Sequence, residues 1–123
     1  ENRVRESIGI SEDGNTVYAK TMDGKILAID ATVSERKVKW ISSGEDMGYE
    51  LAPTAIPEKN GIVYAPTDKG LIYAYRAVDG QFLWKYRISS ALITMILPTD
   101  HNEIYVSAMD GKLVKLKIVP GHP

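Results

Sequence analysis

The fold is indicated by one stretch of sequence that occurs three times, as VYAKTMDGKILAID at residues 17–30, VYAPTDKGLIYAYR at 63–76 and IYVSAMDGKLVKLK at 104–117. The three copies align without gaps. Tyrosine and glycine recur in fixed columns at spacings of 46 and 41 residues: Tyr18, Tyr64, Tyr105; Gly24, Gly70, Gly111. Self-similarity with a period in the low forties predicts a β-propeller in which each repeat forms one four-stranded blade.

Each copy has two apolar runs around a turn, which predicts a β-hairpin. Asp23-Gly24 and Asp110-Gly111 favour two-residue turns because these residues tolerate positive φ. We expect a further strand before each hairpin, around residues 6–11, 51–57 and 92–99, after which turns follow at 13–15, 59–61 and 100–102. A fourth strand is expected only in the first two repeats, at 36–42 and 81–88. The prediction is therefore an all-β partial propeller of eleven antiparallel strands, with blades at about 1–44, 45–89 and 90–119.

The hairpin strands are apolar at consecutive positions, as in LIYAY at 71–75, rather than at alternate ones. This pattern predicts that both faces of a blade are buried, as happens when a blade lies between two others. No segment has the periodicity and caps of a helix of three turns. We therefore expect a chain without long helices.

The composition and charge of the chain argue against two classes of binding partner, nucleic acid and anionic lipid. The chain is 44% apolar and 25% charged with a formal net charge of −1, which offers no broad attraction to nucleic acid or anionic lipid. It has no cysteine, and no apolar run approaches the ~18–20 residues of a membrane span. The start has neither an initiator Met nor an apolar signal region, so we expect the chain to be part of a longer protein.

Several columns resemble the repeat of the quinoprotein-type (PQQ-like) β-propellers, a pattern of G-x-[L/V]-x-A-x-D, a Thr-Gly pair and a Trp in the fourth strand. The matching residues are Gly24, Ala28, Asp30 and Trp40 in the first repeat, and Gly70, Ala74, Gly80 and Trp84 in the second. The repeats also depart from the pattern. The last turn of the first is two residues longer, Arg76 replaces the Asp of the second, and Lys115 and Lys117 replace Ala and Asp in the third.

The resemblance implies a fold more strongly than a function. Similar proteins include quinone-dependent dehydrogenases, a periplasmic lipoprotein that helps assemble outer-membrane β-barrels, and propellers joined to kinase or metallophosphoesterase domains. The dehydrogenases hold calcium with Glu, Asn and Asp, use a catalytic Asp and usually have adjacent cysteines. This chain has no cysteine and no oxygen-ligand loop of the D-x-[DN]-x-[DN]-G type. We therefore predict no catalytic, cofactor-binding or metal-binding residues, and a periplasmic or other extracytoplasmic location by resemblance.

The aromatic columns are interpreted as structural. Trp40 and Trp84 occupy equivalent positions, which is typical of tryptophans that wedge between adjacent blades, and the three column tyrosines are interpreted in the same way. The carboxylates in the turns, at Glu12, Asp13, Asp100 and Glu103, are interpreted as solvated turn residues. His101, which lies between two of them, is also assigned to a turn rather than to a metal site.

The least regular segment joins the first two blades. It is acidic and flanked by glycines, and it carries the candidate partner-binding residues Glu45, Asp46, Met47 and Tyr49. The working hypothesis is a non-catalytic binding or scaffolding module with a protein partner. Two alternatives stay open: a fragment of a quinone-dependent dehydrogenase, and the accessory propeller of a larger enzyme.

Three blades would leave two apolar end faces and an unpaired edge at residues 112–118. Lysines along that edge discourage pairing with other strands. Because large apolar patches are uncommon on soluble monomers, we expect the end faces to be covered by other blades of the parent protein or, as a homodimer, by a second copy.

Overall fold

The computed structural model describes residues 4–21, 25–35, 37–42 and 56–118, which contain strands and turns but no helix. The strands form three antiparallel sheets, in the orders β1-β2-β3-β4, β5-β6-β7-β8 and β11-β10-β9. These sheets are blades one, two and three. Their strands are β1 (Val4–Ile10), β2 (Thr16–Thr21), β3 (Ile26–Asp30), β4 (Val38–Ile41), β5 (Glu58–Lys59), β6 (Ile62–Pro66), β7 (Leu71–Arg76), β8 (Phe82–Arg87), β9 (Ile93–Pro98), β10 (Glu103–Ala108) and β11 (Leu113–Lys117). The predicted all-β partial propeller is confirmed.

The hairpin of each blade has the same register. Tyr18 pairs with Ala28, Tyr64 with Ala74, and Tyr105 with Lys115, so the three columns of the sequence are three equivalent sites in space. In the first two blades the alanine pairs in turn with the tryptophan of the fourth strand, Ala28 with Trp40 and Ala74 with Trp84. The small side chain leaves room for the indole beside it.

Two apolar clusters hold the blades together. The first joins blades one and two and contains, among others, Tyr18, Ile26, Trp40, Val63 and Tyr73. The second joins blades two and three and contains, among others, Tyr64, Ile72, Ala74, Ile104 and Val106. The odd residues of β7 therefore face blade one and the even residues face blade three. Burial of both faces, predicted from the consecutive apolar residues 71–75, is observed in this strand.

The hairpin turns differ from the predicted two-residue type. Ala108 N–H donates to Lys112 O at 3.0 Å and Gly111 N–H donates to Ala108 O at 3.0 Å, which encloses a three-residue loop, 109–111. Gly111 closes this loop at φ 90° and Gly70 closes the equivalent loop at φ 78°. A type I turn followed by one left-handed residue needs three positions, so Asp110 lies in the turn and only the glycine has positive φ. The predicted Asp23-Gly24 turn lies outside the described residues.

The start of blade two also needs correction. In the described residues its first strand is Glu58–Lys59, and Ile56 and Pro57 of the predicted strand lie before it; residues 51–55 of that prediction lie outside the described ranges. Lys59, predicted as a turn residue, pairs with Ile62 in the sheet. The turn consists of Asn60 and Gly61 alone, at φ 53° and 80°, because two residues with positive φ are enough for a tight hairpin.

The longer final turn expected in the first repeat is present. Asp30 N–H donates to Lys37 O and Arg76 N–H donates to Gln81 O, each at 2.8 Å, so the loop of blade one has two more residues than that of blade two. In the longer loop the Asp30 carboxylate accepts the Thr32 backbone N–H at 2.8 Å. The insertion is therefore accommodated by a local side-chain turn.

Candidate functional site

The open face of blade three presents four exposed large apolar side chains, Met95, Leu97, Tyr105 and Leu113. Its two rows run across the strands as Leu97–Tyr105–Lys115 and Met95–Ser107–Leu113. Leu97 is 53% exposed and Leu113 is 64% exposed, whereas their neighbours on the opposite face are buried against blade two. Burial in β10 alternates as expected for a sheet covered on one side only.

The outer face of blade one is apolar too, but it is less open than predicted. Ile10, Val17, Ile29 and Val38 form one continuous row across its four strands. In the next row Ala19 and Leu27 are buried, so the centre of this face is already covered. Among the side chains of this face that the structure describes, the exposed ones lie on the edge strands β1 and β4, where Ile10 is the most exposed member of the row.

Trp40 connects two blades directly. Its indole Nε1 donates to Ala77 O at 2.8 Å, and its six-membered ring lies against Gly80, where an added Cβ would come within 2.3 Å of Cε3. The ring also contacts Tyr18 at a centroid distance of 5.8 Å. Trp84 has the equivalent contact with Tyr64, at 6.0 Å, and packs against the second cluster.

The equivalent repeat glycines have unequal surroundings. A Cβ on Gly70 would lie 1.9 Å from Ser89 O, whereas one on Gly111 would meet nothing within 4 Å. The Ser89 carbonyl is also held by Arg87, whose Nη1 donates to it at 3.1 Å and to Lys69 O at 2.6 Å. Gly70 is therefore required by close packing as well as by its φ, and Gly24 lies outside the described residues.

Lys59 forms ion pairs with both neighbouring blades. Its Nζ lies 2.9 Å from Glu12 Oε2 of blade one and 2.6 Å from Asp100 Oδ1 of blade three. Glu12 also accepts the Asn60 backbone N–H at 2.8 Å. The Lys59 ammonium lowers the pKa of both carboxyls by hydrogen bonding, and for Glu12 the Asn60 N–H adds to the effect; the two carboxylates raise the pKa of Lys59.

These contacts change the interpretation of the turn carboxylates. Asp13 does belong to its own turn, where it accepts Ser11 Oγ at 2.6 Å and Asn15 N–H at 2.9 Å. Glu12 and Asp100 are exposed, as predicted, but they also link blades. The role of Lys59 was not predicted, although the sequence carries a signal: Asp13, Lys59 and Asp100 share one column with alternating charge.

No metal centre is assembled in the part of the chain that the structure describes, since no group of three or more His, Cys, Asp or Glu side chains is placed to hold an ion there. His101 is exposed in its turn and its backbone N–H donates to Thr99 Oγ1. Glu103 lies 3.7 Å from Lys115 Nζ. Over the same ranges no helix is long and apolar enough to cross a membrane.

The predicted partner-binding residues Glu45, Asp46, Met47 and Tyr49 lie outside the described residues. They are therefore not among the surfaces that the structure describes. The surfaces available for a partner in the described ranges are the end faces and the clefts between blades.

Comparison with solved structures supports the fold. BamB from Moraxella catarrhalis matches with a TM-score of 0.73 at 19% identity, over 98% of this chain and 35% of that chain. The computationally designed protein Ika8 matches at 0.67 with 20% identity, over 85% and 30%. A chain of the mitotic checkpoint complex matches at 0.72 with 12% identity, over 94% and 34%. The chain thus spans about a third of the length of these structures.

The family to which the chain belongs is shown by a sequence comparison. No curated protein matches the chain. A family model described as outer membrane protein assembly factor BamB matches residues 37–122, which is 86 of the 123 residues. The chain therefore belongs to the BamB family of PQQ-like β-propeller repeats.

Proposed function

We propose that this chain is a non-catalytic binding and scaffolding module, formed by three blades of a periplasmic propeller that assists assembly at the outer membrane. The observation that carries the proposal is the open face of blade three, where Met95, Leu97, Tyr105 and Leu113 present apolar surface to solvent. The description of the family as an assembly factor supports the compartment and the class of partner. Such a surface is typical of a protein contact.

The proposal has a direct test at the open face. We expect two copies to associate through the open face of blade three, with the second copy standing in for the next blade. Sedimentation velocity at micromolar concentration would then show a dimer. Leu97→Lys should convert it to a monomer, whereas Val78→Lys, at an exposed turn position remote from that face, should not. A monomeric parent chain would contradict association between copies.

A second contact is proposed at the inter-blade segment that carries Glu45, Asp46, Met47 and Tyr49. A photo-crosslinking amino acid at Met47 should give a discrete protein adduct in the periplasm. The matched position is Val78, which is exposed and should give none. Adducts that form equally at both positions, or that persist in a Tyr49→Ala background, would exclude this segment as a specific contact.

The non-catalytic part of the proposal is tested separately. The chain is incubated with pyrroloquinoline quinone and calcium, and both stoichiometric binding and alcohol-dependent dye reduction are measured. We expect neither, because the chain has no cysteine and no calcium loop of the EF-hand type. Observation of both would favour the dehydrogenase alternative.

A further inference from the structure

The turn between the first two strands of each blade contains one exposed asparagine: Asn15 in blade one, Asn60 in blade two and Asn102 in blade three. The residues that follow them differ, since Thr16 follows the first and Glu103 the third, whereas Gly61 follows Asn60. Because glycine has no Cβ, its backbone nitrogen meets the least steric resistance when it attacks the side chain of the preceding residue. The three turns therefore differ at the group with which an asparagine side chain can react.

Asn60 and Gly61 form the exposed two-residue turn of blade two, at φ 53° and 80°. Gly61 O accepts the Ala77 N–H at 2.8 Å, but no hydrogen bond between described residues uses the Gly61 N–H. A Cβ built on Gly61 would meet nothing within 4 Å, so the space beside this residue is open. Within the described part of the chain, the Gly61 nitrogen is neither held in a hydrogen bond nor hindered by a side chain of its own.

The turns of blades one and three protect the corresponding nitrogen. Thr16 is 4% exposed, and its N–H donates to Ser11 Oγ at 3.0 Å. Threonine is also β-branched, which restricts the conformations available there. In blade three the corresponding nitrogen belongs to Glu103, the first residue of β10, which pairs with Lys117 in the sheet. Neither nitrogen is as available to the preceding asparagine as that of Gly61.

The strand before Asn60 is short enough to open locally. Reaction requires the side-chain carbon Cγ of Asn60 to approach the Gly61 nitrogen, and this approach changes the backbone torsions of the turn. β5 consists of Glu58 and Lys59 alone, which pair with Val63 and Ile62. A segment with few paired residues opens with a small loss of free energy. The turn can therefore reach the reactive geometry while the rest of the blade stays folded.

We propose that Asn60-Gly61 is a site of spontaneous deamidation and isomerisation. The Gly61 nitrogen attacks Asn60 Cγ and forms the C–N bond of a five-membered succinimide. The Cγ–Nδ2 bond breaks, and the side-chain nitrogen leaves as ammonia with the proton that the Gly61 nitrogen has lost. Water then cleaves one of the two imide C–N bonds. Cleavage at Cγ gives aspartate, and cleavage at the backbone carbonyl carbon gives isoaspartate, in which the main chain runs through Cβ and Cγ.

The isoaspartate product releases the ion pairs of Lys59. Its main chain is one atom longer, and a two-residue hairpin has no room for that atom, so the pairing of Lys59 with Ile62 is lost. This pairing places Lys59 Nζ 2.9 Å from Glu12 Oε2 and 2.6 Å from Asp100 Oδ1. The Asn60 N–H donates to Glu12 at 2.8 Å, so a new carboxylate at position 60 also repels Glu12. The inference goes beyond the proposed function, because the reaction needs no partner and alters the contact between three blades.

The experiment incubates the 123-residue chain at mildly alkaline pH and follows the three turns by peptide mapping with mass spectrometry. Asn15 and Asn102 are the internal controls. We expect Asn60 to convert roughly tenfold faster than either, which corresponds to a barrier lower by about 1.4 kcal/mol. Labelling by isoaspartyl methyltransferase distinguishes isoaspartate from aspartate. Equal rates at the three asparagines, or an unchanged Asn60, would overturn the proposal.

Two variants test the attacking nitrogen and the attacked side chain. Gly61→Ala hinders the nitrogen and should slow conversion, and Asn60→Gln should nearly abolish it because the longer side chain would have to close a six-membered ring. Gly111→Ala is the matched control, since that glycine also has positive φ and open space beside it, and it should leave the rate at Asn60 unchanged. Conversion at the parental rate in folded Gly61→Ala or in Asn60→Gln would exclude the succinimide route.

The effect on Lys59 is measured on the isoaspartate form after anion-exchange separation. Its Tm at neutral pH should be several degrees below that of the parent chain, whereas Asn60→Asp, which adds the charge without lengthening the main chain, should lose less. The loss should also be smaller in Lys59→Met, which has no ion pairs to release. An isoaspartate form as stable as Asn60→Asp would overturn the inferred release of Lys59. These measurements involve neither association nor crosslinking, so their failure is distinguishable from failure of the scaffolding proposal.

Discussion

Blades two and three have the same hairpin but different neighbours. In blade two the five consecutive residues of Leu71–Tyr75 are buried, because alternate side chains pack against blades one and three. In blade three the equivalent strand, β11, alternates between exposed and half-buried residues. A residue's contribution to stability therefore depends on whether its blade has a neighbour on that side. The two blades contain matched pairs of positions with nearly identical local geometry.

The largest expected difference is between Ile72 and Leu113, which occupy one column 41 residues apart. Ile72 is 0% exposed and Leu113 is 64% exposed. Ile72→Ala should lower the free energy of unfolding by about 2–5 kcal/mol through a cavity between blades two and three. In the monomeric Leu97→Lys background, Leu113→Ala should change it by no more than about 0.5 kcal/mol. Chemical denaturation of both variants in that background measures the difference, and equal losses would mean that the open face of blade three is covered even in the monomer.

The next pair is Gly70 and Gly111, both with positive φ in equivalent loops. Gly111→Ala should cost about 1–2 kcal/mol, the usual penalty for a left-handed residue with a side chain. Gly70→Ala should cost a further ~1–3 kcal/mol because its Cβ would overlap the Ser89 carbonyl. Thermal and denaturant unfolding of the two variants test the difference. Equal costs would show that the loop of blade two moves away without penalty.

A smaller effect is expected at Lys59, which binds blade two to both neighbours. Lowered carboxyl pKa values mean that Glu12 and Asp100 stabilise the fold above their ordinary pKa, and that this contribution disappears as the pH falls through the lowered values. Lys59→Met should therefore lower the Tm at pH 7 by a few degrees, and the difference from the parent chain should shrink as the pH falls through those lowered values.

The raised pKa of Lys59 acts at the opposite end of the pH scale. Its stabilising contribution is complete below the ordinary lysine pKa and is lost only in strong alkali. Lys69→Met, an exposed position in the β6–β7 loop of the same blade, is the control and should show no such pH dependence. A difference between Lys59→Met and the parent chain that stays constant from neutral to acidic pH would exclude the ion pairs as its cause.

The smallest change in stability is expected at Lys115, which stands where blades one and two have Ala28 and Ala74. Lys115 is exposed, so Lys115→Ala should alter the free energy of unfolding by less than about 0.5 kcal/mol. It should nevertheless strengthen association, because it removes a charge from the row that contains Leu97 and Tyr105. Sedimentation of the parent chain and the variant at matched concentrations measures this. Unchanged association would indicate that the open face is not used.

Most of the fold could be predicted because the same hairpin pattern occurs three times in the sequence. Aligned tyrosines and glycines establish the hairpins, and consecutive apolar residues at 71–75 indicate a blade covered on both sides. Loop length was predicted less well, since Asp-Gly is compatible with loops of two or three residues and hydrogen bonding decides between them. The pairing of Glu58 and Lys59 with Val63 and Ile62 was not predicted, because charged residues carry little strand signal of their own.

The candidate site could be predicted only in part. The end faces follow from the number of blades, but the burial of Ala19 and Leu27 on the outer face of blade one was not expected from that number. The ion pairs of Lys59 depend on contacts with Glu12 and Asp100, which lie more than 40 positions away in the sequence. Such contacts become visible only when the columns of adjacent blades are compared in space.

The ion pairs of Lys59 also bear on how such a protein can change by duplication of its repeats. Acidic, basic and acidic residues follow one another along the column Asp13, Lys59 and Asp100, with Glu12 serving as the acidic partner in blade one. A tandem copy of blade two would place two ammonium groups side by side, and a tandem copy of blade three would place two carboxylates together. Either arrangement is repulsive. The sign of the charge at the first turn of each repeat therefore favours the present order of the blades. Unequal recombination between repeats would therefore be tolerated only in units that preserve this alternation.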